Sequence, residues 1–76
     1  MEDSLLIAGY EQLNKGQQIQ FENTHKKFYQ AWGLEARKSY VEENIEKLEW
    51  DQEEQTVNVY FNNGNWWHFT KDNKWY

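Results

Sequence analysis

The feature that most constrains the fold is an Asn-Gly pair, Asn63-Gly64, between two runs of strand-forming residues at 56–62 and 65–70. A type I′ turn needs positive φ at both central residues, which Asn tolerates and Gly adopts freely. An Asn-Gly pair between such runs is therefore the strongest short-range signal for a β-hairpin. We predict a hairpin whose loop consists of these two residues alone.

A two-residue loop would fix which side chains share a face of the hairpin. Counting outward from the turn pairs Phe61 with Trp66 and Tyr60 with Trp67. Because successive side chains of a strand point to opposite faces, one predicted face carries Val57, Val59, Phe61, Trp66, His68 and Thr70. The other carries Asn58, Tyr60, Trp67 and Phe69. Both faces are apolar, whereas a face turned to solvent should be polar. The second face must therefore be covered or serve binding.

The flanking segments extend the hairpin in both directions. A strand at about 47–50, followed by a turn over 51–54, places Leu48 and Trp50 on the first face. The turn-rich segment 71–74 returns the chain so that Trp75 joins the first face and Tyr76 the second. We expect helices to cover the first face, because it is richer in aliphatic residues.

Three helices are predicted ahead of the sheet. One runs from about Leu5 to Asn14, and Gly16 is placed to end it. A second is clearest over 24–32, with Gly33 after its end, although its start is left open back to Gln18. A third, short helix begins at a capping box, Ser39 to Glu42, and reaches about residue 47. The predicted fold is one small α+β domain over 1–76, with two or three N-terminal helices packed on a three- or four-stranded antiparallel β-meander.

Composition limits how such a domain can be stabilised. The chain has 76 residues, no Cys, five Trp, five Tyr and four Phe. A chain of this size buries only about 60 % of its unfolded surface, so large aromatic side chains must build much of the core. No apolar run is long enough for a signal peptide or a membrane span. We expect a cytoplasmic protein that does not engage membranes.

Charge is distributed in blocks. Four basic residues against one acidic residue give segment 23–40 a charge of +3, and seven acidic residues against Lys47 give segment 41–55 a charge of −6. The acidic residues of that second block are Glu42, Glu43, Glu46, Glu49, Asp51, Glu53 and Glu54. Double-stranded nucleic acid is bound through a dense basic face, and we expect no such partner. Solvated helix faces and turns are the simplest explanation of the blocks.

No motif specifies a reaction. The two histidines are His25, expected to be exposed near a helix start, and His68, expected to be hydrogen-bonded on the core face. Spacings typical of zinc, nucleotide or nucleophile sites are missing, and the acidic block lacks the glycine-containing loop that wraps calcium. We expect a protein that is not an enzyme and that uses no cofactor or metal.

The second face is the candidate site. It carries Tyr60, Trp67, Phe69 and Tyr76, with Glu49 at its rim, and such amphipathic rings are enriched at interfaces. Four alternatives stay open: cross-strand aromatic pairs that only hold the sheet together, internal cover by residues 19–21, burial in a homodimer, and binding of another partner. Single-stranded bases or carbohydrate are less favoured ligands of the rings. We expect a small non-catalytic protein-binding or regulatory module. The alternative is an acidic inhibitor of the phage or mobile-element type, which mimics nucleic acid and blocks a basic groove on a target protein.

Overall fold

The structure is a computed structural model that describes residues 7–76. Helical segments come first: α1 (Lys15–Ala31), the short α2 (Leu34–Arg37), and 3₁₀ turns at Tyr10–Gln12, Lys38–Tyr40 and Glu42–Asn44. Three antiparallel strands follow: β1 (Ile45–Asp51), β2 (Thr56–Phe61) and β3 (Trp66–Phe69). Their order in the sheet is the same as their order in the chain. The predicted α+β class and antiparallel meander are confirmed, with three strands in the sheet.

Helix α1 begins earlier than the apolar stripe indicates, because a capping box fixes its start. The Asn14 side chain accepts a hydrogen bond from the Gln17 amide at 2.8 Å, and the Gln17 side chain accepts one from the Asn14 amide at 2.9 Å. Gly16, predicted to end a helix, lies in the first turn of α1. The helix predicted over 5–14 lies partly outside the described residues, and within them only the 3₁₀ turn Tyr10–Gln12 forms.

The predicted third helix is wrong, because the chain enters β1 at Ile45. Ile45 and Leu48 are at helical spacing, yet both are buried on one face of a strand. An irregularity in register between Ile45 and Lys47 adds one residue there, and this bulge lets both side chains point inward. Leu48 pairs with Val59, whereas the predicted turn over 51–54 would oppose it to Val57. That shift of two residues leaves the faces of β1 as predicted.

The core lies between α1 and one face of the sheet, which we call the inner face. Phe28 on α1 is fully buried, and its ring centroid lies 5.1 Å from that of Phe69 and 5.9 Å from that of Phe61. The buried apolar residues of the core are Leu13, Phe21, Phe28, Tyr40, Ile45, Leu48, Val57, Val59, Phe61 and Phe69. Aromatic rings thus supply much of the buried area, since each can bury roughly 150–250 Å².

The two ends of the described chain lie along the two edges of the sheet. At the β1 edge, the Leu48 amide donates to the Ala8 carbonyl at 2.8 Å. Close by, the Tyr10 hydroxyl donates to Glu22 of α1, and this bond to a carboxylate raises the pKa of Tyr10 to about 12. At the β3 edge, Trp75 forms an isolated bridge with Phe69 and packs against the core. The predicted fourth strand is therefore reduced to a single bridge.

Candidate functional site

The turn between β2 and β3 decides which side chains form the site. The Phe61 amide donates to the Asn65 carbonyl at 2.9 Å, and the Gly64 amide donates to the Phe61 carbonyl at 3.1 Å. Gly64 has φ of 93°, but Asn63 is not among the residues with positive φ, so the turn is not type I′. The loop instead comprises Asn62, Asn63 and Gly64, with glycine in the left-handed position that closes a three-residue hairpin loop. The predicted two-residue loop is wrong.

This one extra loop residue shifts the register of β3 by one position. Val59 pairs with Trp67, and Tyr60 pairs with Trp66. A shift of one residue moves every side chain of a strand to the opposite face. The predicted placement of Trp67 and Phe69 beside Tyr60 is therefore wrong.

Trp67 and Phe69 belong to the inner face. Phe69 has no exposed surface, and the half-buried Trp67 places its ring centroid 5.5 Å from that of Phe28. Trp66 and His68, predicted to lie in the core, take their places on the opposite face. The signal for this exchange was present in the sequence, because glycine is also the preferred third residue of a three-residue loop.

The face turned away from α1 carries four rings, Tyr60, Trp66, His68 and Tyr76, which we call the outer aromatic row. Tyr60 and Trp66 stack at 5.2 Å, Trp66 meets His68 edge to face at 4.8 Å, and His68 stacks on Tyr76 at 4.7 Å. Trp66 is 48 % exposed and Tyr76 is 57 % exposed. The row runs from β2 across β3 to the C-terminal segment and remains accessible to a partner.

A polar layer beneath His68 holds the centre of the row. The His68 Nδ1 atom lies 2.7 Å from Asn58 Oδ1 and 3.2 Å from Thr56 Oγ1, and both partners are buried. The Asn58 amide nitrogen faces Asp51 Oδ2 at 3.5 Å, so its oxygen faces the imidazole. Since an amide oxygen only accepts, Nδ1 is the donor in the contact with Asn58.

Charged groups flank the first ring of the row. Lys47 Nζ lies 4.9 Å from the Tyr60 ring centroid and 3.5 Å from a carboxylate oxygen of Glu49. The Tyr60 hydroxyl donates to Glu49 at 3.1 Å. Partial burial, and then this hydrogen bond, raise the pKa of Tyr60. The phenol is therefore a neutral donor at physiological pH.

Carboxylates also flank the other end of the row. The Tyr76 hydroxyl donates to Glu54 at 2.8 Å, and this bond raises the pKa of Tyr76. Asp51 accepts from the backbone amides of Glu53 and Glu54, each at 3.1 Å. The hydrogen bond from the Glu54 amide is the main cause that lowers the pKa of Asp51. Glu49, Asp51 and Glu54 thus form a carboxylate rim, the name we use for these three residues below.

The seven acidic residues of segment 41–55 do not share one element. Glu42 and Glu43 belong to a 3₁₀ turn and line a shallow groove of about 390 Å³ against α1. Three others lie on β1, and Glu53 and Glu54 lie in the turn that follows it. Because β1 is an edge strand of the sheet, five of the seven follow one edge, where charge also discourages pairing with another chain.

His25 is not exposed, contrary to prediction. It is 8 % exposed, its Nε2 atom lies 2.8 Å from the Tyr40 carbonyl oxygen, and its ring packs between Phe21 and Phe28. The i, i+4, i+7 spacing of these three residues is the sequence signal for that placement. Within residues 7–76, no group of three or more His, Cys, Asp or Glu side chains is arranged to hold a metal ion. Nor does any helix in this part of the chain have the length and apolar character needed to cross a membrane.

No protein family, curated protein or solved structure matches this chain in the comparisons made. Functional inference therefore rests on the geometry of the outer aromatic row and its carboxylate rim.

Proposed function

We propose that this protein is a small non-catalytic protein-binding or regulatory module and that its contact surface is the outer aromatic row. The observation that carries the proposal is a continuous row of rings on the sheet face away from α1, with Trp66 48 % exposed at its centre. Tyrosine and tryptophan dominate binding energy at protein interfaces, because they combine a large apolar body with a polar tip.

The row is also held in place before any partner arrives. His68 is fixed by Asn58 and Thr56 below it, and the neighbouring rings stack on one another. Both tyrosine hydroxyls have carboxylate partners. Side chains ordered in advance lose less conformational entropy on binding, which favours affinity. This order distinguishes the row from apolar residues that are exposed singly, such as Leu34.

Affinity capture from extracts of the source cells tests the proposal with three proteins: the natural chain, Trp66→Ala and Leu34→Ala. Leu34 is 75 % exposed on α2 and serves as a control for loss of an exposed apolar side chain. We expect Leu34→Ala to retain the bound partner and Trp66→Ala to lose it, with both variants folded by circular dichroism. Equal retention by the natural chain and Trp66→Ala would contradict the proposal.

Light scattering over a wide range of protein concentration identifies the case in which the partner is a second copy. A dimer that dissociates on Trp66→Glu would place the row in a homodimer interface. A monomer at all concentrations leaves the row available to a different protein.

The acidic inhibitor is the second candidate, and the placement of five acidic side chains along β1 and its turn favours it. Carboxylates along one edge of a small sheet offer a potential complementary to a basic groove. Neutralising Glu46 and Glu53, which lie outside the carboxylate rim, separates the two candidates. Mimicry predicts that Glu46→Gln with Glu53→Gln weakens partner binding and that Trp66→Ala has little effect. The module proposal predicts the reverse.

A further inference from the structure

We infer that the outer aromatic row recognises a positively charged peptide segment, whose arginine or lysine side chains lie over the rings and pair with the carboxylate rim. This inference rests on the proposed function and names the chemistry of the partner.

The protein already holds one of its own cations in this way. Lys47 Nζ lies 4.9 Å from the Tyr60 ring centroid and 3.5 Å from Glu49. A cation within about 6 Å of an aromatic centroid is attracted by the negative face of the ring. The first ring of the row, together with one carboxylate of the rim, therefore forms a site for an ammonium or guanidinium group.

The charged side chains beside the rest of the row also favour a positively charged partner. Three carboxylates, Glu49, Asp51 and Glu54, lie beside the row, and Lys47 is paired with one of them, Glu49. The Glu49 side chain is 52 % exposed and can take a further partner besides Lys47 and the Tyr60 hydroxyl. An acidic segment would meet like charge here, and a neutral one would leave the excess negative charge uncompensated, so complementarity selects a basic segment.

The length of the outer aromatic row favours a short extended segment with more than one cation. The ring centroids from Tyr60 to Tyr76 follow one another at 5.2, 4.8 and 4.7 Å. An extended chain advances roughly 3.3 Å per residue, so about four residues cover the row. Cations at the two ends of such a segment would lie near Glu49 at one end of the row and Glu54 at the other. Arginine suits both contacts, because guanidinium stacks on rings and pairs with carboxylates through two hydrogen bonds.

The test is a titration of the ¹⁵N-labelled protein followed by nuclear magnetic resonance, with three synthetic nonapeptides that alternate serine with arginine, glutamine or glutamate. We expect the arginine peptide to shift the indole resonance of Trp66 and to leave that of the inner-face Trp67 nearly unchanged. The glutamine and glutamate peptides should bind ~10-fold more weakly, since the cation–π and ion-pair contacts of two arginine side chains are lost.

Matched variants separate the rim from general acidity. Glu49→Gln with Glu54→Gln should weaken the arginine peptide ~10-fold or more, whereas Glu46→Gln with Glu53→Gln removes the same charge outside the rim and should change affinity less than ~3-fold. Lys47→Ala should strengthen binding, because it frees the Tyr60 ring and Glu49. Lys15→Ala, which removes the same charge at the start of α1, should not.

Each outcome bears on the inference separately from the proposed function. Equal binding of the arginine and glutamine peptides at the Trp66 resonance would overturn the preference for cations and leave the row as a contact surface. Equal weakening by the two double variants would overturn the role of the rim, as would a failure of the arginine peptide to bind at millimolar concentration. Loss of partner capture by Trp66→Ala would still stand in each case.

Discussion

The two faces of the sheet are both aromatic, yet they are built in different ways. On the inner face, rings pack against rings of α1, as Phe69 and Phe61 do around Phe28. On the outer face, the rings stack on one another above a buried polar layer of Asn58 and Thr56. The difference teaches that aromatic content alone does not distinguish core from surface. What distinguishes them is the element that lies opposite.

Trp66 and Trp67 show the difference within one dipeptide. Trp67 joins the inner face and packs against the core, whereas Trp66 is 48 % exposed in the outer aromatic row. The two residues have identical chemistry, so the parity of the strand assigns their roles. Truncation of an inner-face side chain should therefore lower the free energy of unfolding, and truncation of a side chain in the outer aromatic row should lower the affinity for a partner.

The largest expected effect comes from truncating the centre of the inner face. Phe28→Ala removes a fully buried ring and should lower the free energy of unfolding by about 3–5 kcal/mol. For a small domain this is a large part of the total. Trp66→Ala on the outer face should cost less, about 1–3 kcal/mol, because it removes two ring contacts of about 0.5–1.5 kcal/mol each. Urea unfolding followed by circular dichroism measures both. Equal losses would show that the outer row is as important to the fold as the core.

A second comparison uses two glycines with nearly the same φ, Gly9 at 90° and Gly64 at 93°. A Cβ at Gly64 would meet no atom within 4 Å, so Gly64→Ala should cost only the backbone strain of about 1–2 kcal/mol. A Cβ at Gly9 would lie 2.1 Å from the Leu48 carbonyl oxygen. Gly9→Ala should therefore cost more and release the Ala8 contact with β1.

The same unfolding experiment measures the two glycine variants, and hydrogen exchange of the Leu48 amide reports on the β1 edge. We expect faster exchange at Leu48 in Gly9→Ala alone. A Gly64→Ala variant as destabilised as Gly9→Ala would contradict the open surroundings of the β2–β3 turn. Gly64→Asn, which tolerates positive φ, should recover part of the loss.

The smallest expected effects are on the titration of the outer tyrosines. The pKa values of Tyr60 and Tyr76 should lie above the ordinary value of 10.0. Because the pKa of each tyrosine is raised in the folded state, its hydrogen bond stabilises the fold fully at pH values below the unfolded-state pKa. That stabilisation is lost as pH rises through the folded-state pKa. Glu54→Gln should lower the pKa of Tyr76 and leave that of Tyr60 unchanged. Glu49→Gln should lower the pKa of Tyr60 and leave that of Tyr76 unchanged. Carbon-13 resonances of the tyrosine rings measure both, and a shared response would contradict two separate carboxylate partners.

Local patterns in the sequence were sufficient to predict the strands and the hairpin of the sheet. The hairpin around Gly64, the strand near Leu48 and the inward direction of Val57 and Val59 follow from turn chemistry and alternation. The α+β class and the antiparallel meander also follow from them. These features depend on neighbours in the chain, so the sequence displays them directly.

Competing local signals explain the wrong predictions. Ile45 and Leu48 are spaced as in a helix, but pairing with β2 and a bulge turn both inward in a strand. The apolar stripe of α1 does not fix the start of the helix, because the capping residues Asn14 and Gln17 lie ahead of that stripe. His25 was predicted exposed, although its spacing from Phe21 and Phe28 places it on the buried side of α1.

From turn chemistry and residue alternation it follows that two adjacent strands carry aromatic residues on both faces, with Asn-Gly at the turn between them. The assignment of Trp66 and His68, rather than Trp67 and Phe69, to the candidate site depends on contacts between distant parts of the chain. The physical reason is that loops of two and three residues are both compatible with glycine at that turn, and they differ by one residue in register. The longer loop is favoured because it lets Trp67 and Phe69 pack against Phe28 of α1. These contacts join residues that are 39 and 41 positions apart in the chain.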